Sequence, residues 1–252
     1  ETDESEDESE DESEDESEDE SEDLDINEDI IEKKPSIKKT PVTKEDYIKE
    51  VEAYKKIIKN NYDLSKNIIL TGPNASGKTS VLKSTYINLL FSQQIGFGFF
   101  DVGEINPYNH FHLYLNIPDT CDRDSLFQSE ARRCLEIYNS ISQKKGRHFC
   151  IFDELFSGTN PDEAISCAFG FLKTIQNMPI TFILTTHFYK LCESLSKEKN
   201  IKYLNMSVEE INDKLKYNYK IINGINKIKG GKYVLKQLGY PDKIIQISNT
   251  IS

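Results

Sequence analysis

The chain has 252 residues and a mass of 29.0 kDa, room for one large domain or two small ones with a hydrophobic core, which excludes a peptide or a disulfide miniprotein. Its formal net charge of -12 averages two unlike parts: positions 1–32 hold 21 of the 43 acidic residues and no Lys or Arg, which leaves 31 basic against 22 acidic side chains afterwards, a net of +9. Five cysteines (Cys121, Cys134, Cys150, Cys167, Cys192) without a C-x-x-C pair argue against a secreted disulfide framework or a zinc ribbon, and the lack of a signal segment or a run of ~20 apolar residues argues against a membrane partner, so the chain reads as soluble and intracellular.

Residues 1–23 are a four-residue repeat of Ser-Glu-Asp-Glu type that opens part-way through a unit, as in a processed or truncated portion of something longer. Such a segment buries too little apolar surface to offset chain entropy and is expected to be disordered. A solubilising tail is the plain reading; competition with nucleic acid for the basic remainder is the sharper one. Ser5, Ser9, Ser13 and Ser17 each precede an acid by three residues, a pattern resembling acidophilic kinase sites, and phosphates there would deepen the charge. On the sharper reading, deleting 1–23 tightens DNA binding at low salt, and unchanged affinity disposes of it. Residues 33–43, with Pro35 and Pro41, read as a linker. The expected organisation is therefore a disordered acidic tail and linker over 1–43 and a folded domain over 44–252.

Within that domain, Tyr47, Ile48, Val51, Tyr54 and Ile58 recur at helical intervals, the stripe of an amphipathic helix over 45–58. Strand-like and helix-like runs then alternate: a strand over 67–71, a helix from Lys78, an alternating strand over 111–115 and a helix from about Asp124. A strand over 149–152, a helix after Pro161 and a strand over 180–185 follow. This order predicts an α/β fold with a largely parallel sheet flanked by helices.

The strongest chemical signal is Gly72-Pro73-Asn74-Ala75-Ser76-Gly77-Lys78-Thr79, followed by Ser80, which matches G-x-x-x-x-G-K-[ST] between an apolar run and a helix. In such a P-loop the glycines let backbone N–H groups curl around phosphates, and the helix N-terminus adds its partial positive charge. Lys78 reaches the β and γ phosphates and the Thr79 hydroxyl ligates Mg²⁺. Next, the apolar run ending at Phe152 delivers Asp153 and Glu154, as a buried strand delivers carboxylates at its C-terminal edge. Alone, two acids after a strand are most often a loop start or a helix cap. Downstream of a P-loop they read as Walker B, with Asp153 holding Mg²⁺ and Glu154 the general base toward water. His187 ends a third strand-like run, where a histidine can contact a γ phosphate as well as pack on a surface. His110 and His112 alternate along one strand without a third ligand in evidence, so packing is the expectation there.

These motifs, with Ser125-Leu126-Phe127-Gln128-Ser129-Glu130 (S-x-F-x-x-E), Asp153-Glu154 through Gly158-Thr159 (D-E-x-x-x-G-T) and Thr186-His187, come in an order that resembles the ATPase domain of the MutS family. The resemblance runs from about Asp63 to Ser252 and takes in Gly239-Tyr240-Pro241 before a closing helix. It implies an ABC-class ATPase that binds ATP and Mg²⁺ as a head-to-head dimer, with ATP between one subunit's P-loop and the other's signature segment. Ser125 would then act in trans, its hydroxyl facing the partner's γ phosphate at a helix N-terminus; the plain reading, that Asp124 or Ser125 caps its helix, is compatible with this.

The resemblance further implies a second MutS-like subunit, identical or not, as partner, with DNA engaged through the wider protein and, if the source is eukaryotic, residence in the nucleus or another DNA-containing compartment. The family's base-stacking aromatic falls here in Ile57-Ile58-Lys59-Asn60-Asn61, with Tyr62 nearby. Its mismatch-reading, connector, lever and clamp domains normally precede the ATPase, and the residues before position 63 do not supply them. The expected function is the ATP-binding and ATP-hydrolysing C-terminal domain of a MutS-like mismatch repair protein. An ABC-type DNA-metabolism ATPase without a repair role, or a nucleotide-gated dimerisation module with little turnover, stands as the alternative; no Leu-Ser-Gly-Gly run of the transporter or chromosome-condensing ATPases is present.

Overall fold

A computed structural model of the chain describes residues 57–115, 117, 125–212 and 214–248. The acidic tail, the linker, nearly all of the 45–58 stripe, Cys121 and Asp124 lie outside the described residues. Strand β1 (Asn67–Thr71) is buried along its whole length. It leads through the Gly-rich loop into α1 (Lys78–Ile95), which stops at Gly96 in the left-handed conformation that favours glycine. Strand β2 (His110–Tyr114) follows, one residue earlier than the alternation predicts. Helix α2 (Leu126–Gln143) starts at Ser125, whose hydroxyl accepts from Gln128 N–H while the Gln128 side chain accepts from Ser125 N–H, a reciprocal capping box.

Strand β3 (His148–Asp153) is buried up to its final residue. Helix α3 (Pro161–Ile175) has Asn160 as its cap, proline at its first position and Asp162 and Glu163 in its first turn, so side-chain capping, a preset φ and the helix dipole all favour a start there. Strand β4 (Ile180–Thr186), a short α4 (Tyr189–Ser194), the long strands β5 (Ile201–Ile211) and β6 (Lys214–Asn223), α5 (Gly231–Gln237) and α6 (Asp242–Ser248) complete the order.

The six strands form one sheet in the order β2-β3-β4-β1-β5-β6, parallel throughout except for the antiparallel outer strand β6. Alternate side chains of each inner strand serve opposite faces. Ile68, Leu70, Phe149, Ile151 and Ile183 pack with Leu82 and Leu89 of α1. Ile69, Phe152, Phe182 and Leu184 pack on the other face with Ile137 and Ile141 of α2 and Ala168 and Leu172 of α3. Each such side chain, withdrawn fully from water, contributes roughly 1.5–3 kcal/mol. Two-sided burial fixes the register, and the register aligns the C-terminal ends of β1, β4 and β3: Thr71 lies beside Thr186, and Asp153 beside Thr185.

The 201–223 hairpin and the short helices α4 and α5 extend the elements expected from the sequence, while α6 follows Gly239-Tyr240-Pro241 as expected. Among the described residues no helix is long and apolar enough to cross a membrane, and Cys134, Cys150, Cys167 and Cys192 are all free thiols.

Candidate functional site

The aligned strand ends open into a cleft of about 840 Å³ lined by Asn74, Ala75, Gly77, Lys78, Thr79, Ser80, Asp153 and Glu154 among others. Ligands of open α/β sheets bind at this edge because strand-to-helix loops splay apart there. The loop from Gly72 to Gly77 turns through Ala75 (φ 63°) and Gly77 (φ 96°). Gly77 is favoured by its positive φ, and a Cβ there would also crowd the Tyr219 ring at 3.3 Å. No side chain caps α1, so its first amides face the cleft as donors for an anion. Ser76 Oγ is buried without a hydrogen bond, turned toward Gly72 and not part of the cleft lining.

Lys78 is only 6% exposed. Its ammonium donates to the Gly72 carbonyl at 3.0 Å and the Pro73 carbonyl at 3.4 Å and stands 3.6 Å from Glu154 Oε1. His187 Nδ1 approaches the same oxygen at 3.7 Å. The His187 ring and then the Lys78 charge, working against desolvation, hold the Glu154 carboxyl below its usual value. Glu154 is therefore an ionised, half-buried carboxylate between two basic groups. Asp153 is engaged on both oxygens: Oδ2 accepts from Thr79 Oγ1 at 2.8 Å, and Oδ1 accepts from Thr185 Oγ1. One carboxylate beside one hydroxyl is a sparse, hard-oxygen donor set. It suits a cation such as Mg²⁺ that keeps several of its own waters, and not an all-protein cage.

The structure thus gathers the Gly72–Thr79 loop, Asp153, Glu154 and His187 at one sheet edge. Ser125 is not among the cleft-lining residues; it is exposed at the tip of α2, where its hydroxyl serves as the cap. Tyr62 also lies away from the cleft wall, its hydroxyl paired with Thr85 of α1. Two aromatics line the cleft, Tyr114 of β2 and Tyr219 of β6, together with Ile58 and Asn60 of the 57–61 stretch and Met206; the motifs single out neither tyrosine. Asn60 fastens the Tyr219 region, donating to the Tyr219 carbonyl at 3.0 Å and accepting from Ile221 N–H at 2.8 Å. No local pattern marks Tyr219, because only the β5–β6 pairing brings it beside a loop about 140 positions earlier in the chain.

His110, His112 and His148 meet at the other end of β2 and β3. His112 Nε2 and His148 Nδ1 are 2.9 Å apart, and His110 and His148 bond the Lys145 and Lys144 carbonyls. Among the described residues no cluster of three or more His, Cys, Asp or Glu is arranged to hold a metal.

Residues 68–252 match the family described as MutS domain V. The chain is 30% identical over 188 residues to the DNA mismatch repair protein MutS of Bacteroides thetaiotaomicron, covering 73% of this chain and 22% of that protein. It is 28% identical over 196 residues to Endonuclease MutS2 of Clostridium novyi (76% and 24%) and 29% identical over 202 residues to Endonuclease MutS2 of Bacillus thuringiensis (78% and 25%). The chain therefore spans less than a third of the length of these curated relatives.

Proposed function

Since this chain belongs to the MutS family through its domain V, we propose that it is a P-loop ATPase domain of ABC type, which binds ATP, hydrolyses it with Mg²⁺ and works as a nucleotide-gated dimer controlling how a larger protein engages DNA. The observation that carries this reading is the convergence of Lys78, Thr79, Asp153 and Glu154 in one cleft, with His187 outside the cleft lining but 3.7 Å from Glu154. The loop amides and Lys78 would take the phosphates. Thr79 and Asp153 would hold Mg²⁺, which supplies neutralisation of phosphate charge when bound. Glu154, ionised and close to Asp153, would accept the proton of the attacking water, and His187 would orient the γ phosphate. Tyr219 offers the cleft an aromatic face suited to a base, the part that the sequence leaves unassigned. The exposed Ser125 would complete a second copy's site.

Domain boundaries at 43 and 44, with the acidic segment as a tail, belong to the same proposal. Measuring ATP hydrolysis and ATP-dependent dimerisation on one sample tests it. Turnover together with dimerisation is expected, dimerisation without turnover would reduce the chain to a gated binding module, and neither would remove the reading. The relatives named Endonuclease MutS2 favour a second reading in which the same ATPase serves a protein other than a mismatch reader. A parent protein that binds matched and mismatched duplex equally would select it.

A further inference from the structure

Glu130 lies near the start of α2, five residues after Ser125, and is only 2% exposed. A carboxylate so withdrawn from water persists only when its oxygens are satisfied. Here Oε1 accepts from the Ser157 amide at 3.0 Å and the Ser157 hydroxyl at 2.8 Å, and Oε2 accepts from the Gly158 amide at 3.0 Å. One residue earlier, the Phe156 amide donates to the Tyr114 hydroxyl at 3.1 Å. Burial first, and then the neighbouring Glu130 carboxylate, keeps that phenol protonated. Three consecutive amides following the Asp153-Glu154 pair are thus held by two side chains, one from α2 and one from β2.

The held stretch needs holding. Glu154 and Phe156 adopt φ of 55° and 59°, a conformation that side chains with a Cβ take up at a cost and keep only when the surroundings impose it. The same stretch is pressed onto the start of α2. A Cβ at Gly158 would fall 2.8 Å from the Phe127 amide nitrogen and 2.7 Å from Leu126 Cγ, and the Phe127 and Phe156 rings pack with centroids 5.9 Å apart. Glutamate has no substitute here. Two acceptor oxygens meet three donors, whereas an amide would turn an N–H₂ group against a backbone N–H.

We propose that Glu130 is a positioning residue for the hydrolytic step. It fastens the 154–158 loop, and with it the Glu154 carboxylate, to the helix tip that carries Ser125, so that the base of one site and the hydroxyl offered outward move as one body. The inference rests on the ATPase reading above.

The test compares the 252-residue chain with Glu130→Gln, which keeps side-chain volume, and Ser157→Ala, which removes one donor and no charge. In Glu130→Gln, kcat is expected to fall about ten- to hundredfold, because a misplaced base is costly, while KM for ATP stays within about twofold. Amide hydrogen exchange should quicken at 156–158 and not in β1 or α1. Ser157→Ala should lower kcat by less, about threefold, because it removes one of the three donors to the carboxylate and leaves both amide bonds in place. Unchanged kcat in Glu130→Gln with an active parent chain overturns the assignment alone. A loss of kcat matched by equal losses of ATP affinity and thermal stability also overturns it, since that is the behaviour of a fold residue. A parent chain inert toward ATP overturns the ATPase reading, and this assignment with it.

Discussion

Glu154 and Lys78 face each other at 3.6 Å, and the two should fail differently when altered. Glu154→Gln keeps the shape and removes the group able to take a proton from water. Hydrolysis is expected to drop by a hundredfold or more, on the order of the contribution of a positioned base. Affinity for ATP should hold or improve, because a negative charge has left a cleft proposed to take phosphates. Lys78→Ala removes the buried ammonium and leaves Glu154 with His187 as its only close basic neighbour among the described contacts. Binding itself should then weaken by about 1.5–3 kcal/mol, the range of hydrogen bonds to charged groups. Equilibrium titration with ATP alongside steady-state turnover separates the pair. A Glu154→Gln chain with normal turnover would remove Glu154 from the chemistry, and a Lys78→Ala chain with full ATP affinity would remove Lys78 from the phosphate cradle.

Helix α2 carries two features that can be pulled apart, the capping box at Ser125 and the outward hydroxyl of the same residue. Ser125→Ala loses the cap, at about 1 kcal/mol, and with it any service to a neighbour. Ser125→Asp keeps a capping oxygen and favours the helix dipole, but presents a carboxylate where a phosphate is to be met. Melting temperature should therefore hold in the aspartate variant while ATP hydrolysis is lost; hydrolysis equal to that of the parent would confine Ser125 to capping. At the opposite end of the sheet, β2 is tied to β3 through His112 and His148. Burial, followed by the charges of His148 and Arg133, pushes the His112 pKa down to about 4. The fold therefore keeps this imidazole neutral while an unfolded chain takes up its proton below about 6.5, so stability is lost as pH falls from about 6.5 to about 4. Thermal unfolding at pH 7 and pH 4.5 should show a smaller drop for His112→Gln than for the parent chain, and equal drops would remove His112 as a source.

Strands β1, β3 and β4 were readable because both of their faces are largely buried, leaving continuous apolar runs such as 68–70 and 149–152, whereas the inner strand β5 was missed because its second half runs polar and exposed. Strand β6 was not readable either, since it is an exposed outer strand rich in Lys, and its ladder is interrupted by a register shift opposite Met206 and Val208 of β5 and by a positive φ at Tyr219. The loop and its two acids were legible for the opposite reason, because their chemistry demands particular residues at fixed spacing. Tyr219 and the donors around Glu130 depend on long-range pairing that no local spacing encodes.

At the scale of the whole molecule, the sheet places the Gly72–Thr79 loop and the Ser125 tip in one chain, while the cleft lining includes Leu126 and Glu130 but not Ser125. A site completed by a second copy makes a prediction that a self-sufficient site does not. In a two-fold dimer each composite site takes its loop from one subunit and its serine from the other. A Lys78→Ala chain contributes a sound serine and a damaged loop; a Ser125→Asp chain contributes the reverse. Either alone forms dimers with no intact site. Mixed in equal amounts, half of the dimers pair unlike chains, and each of these holds one site with a native loop and a native serine. Hydrolysis should then recover to about a quarter of the parent rate if pairing is random and the two sites act independently. The readout is phosphate release across a mixing series at fixed total protein, which should peak at the equal mixture and vanish at both ends. If every mixture remains as inactive as its components, Ser125 serves no neighbour and the cleft works, if it works, within a single chain.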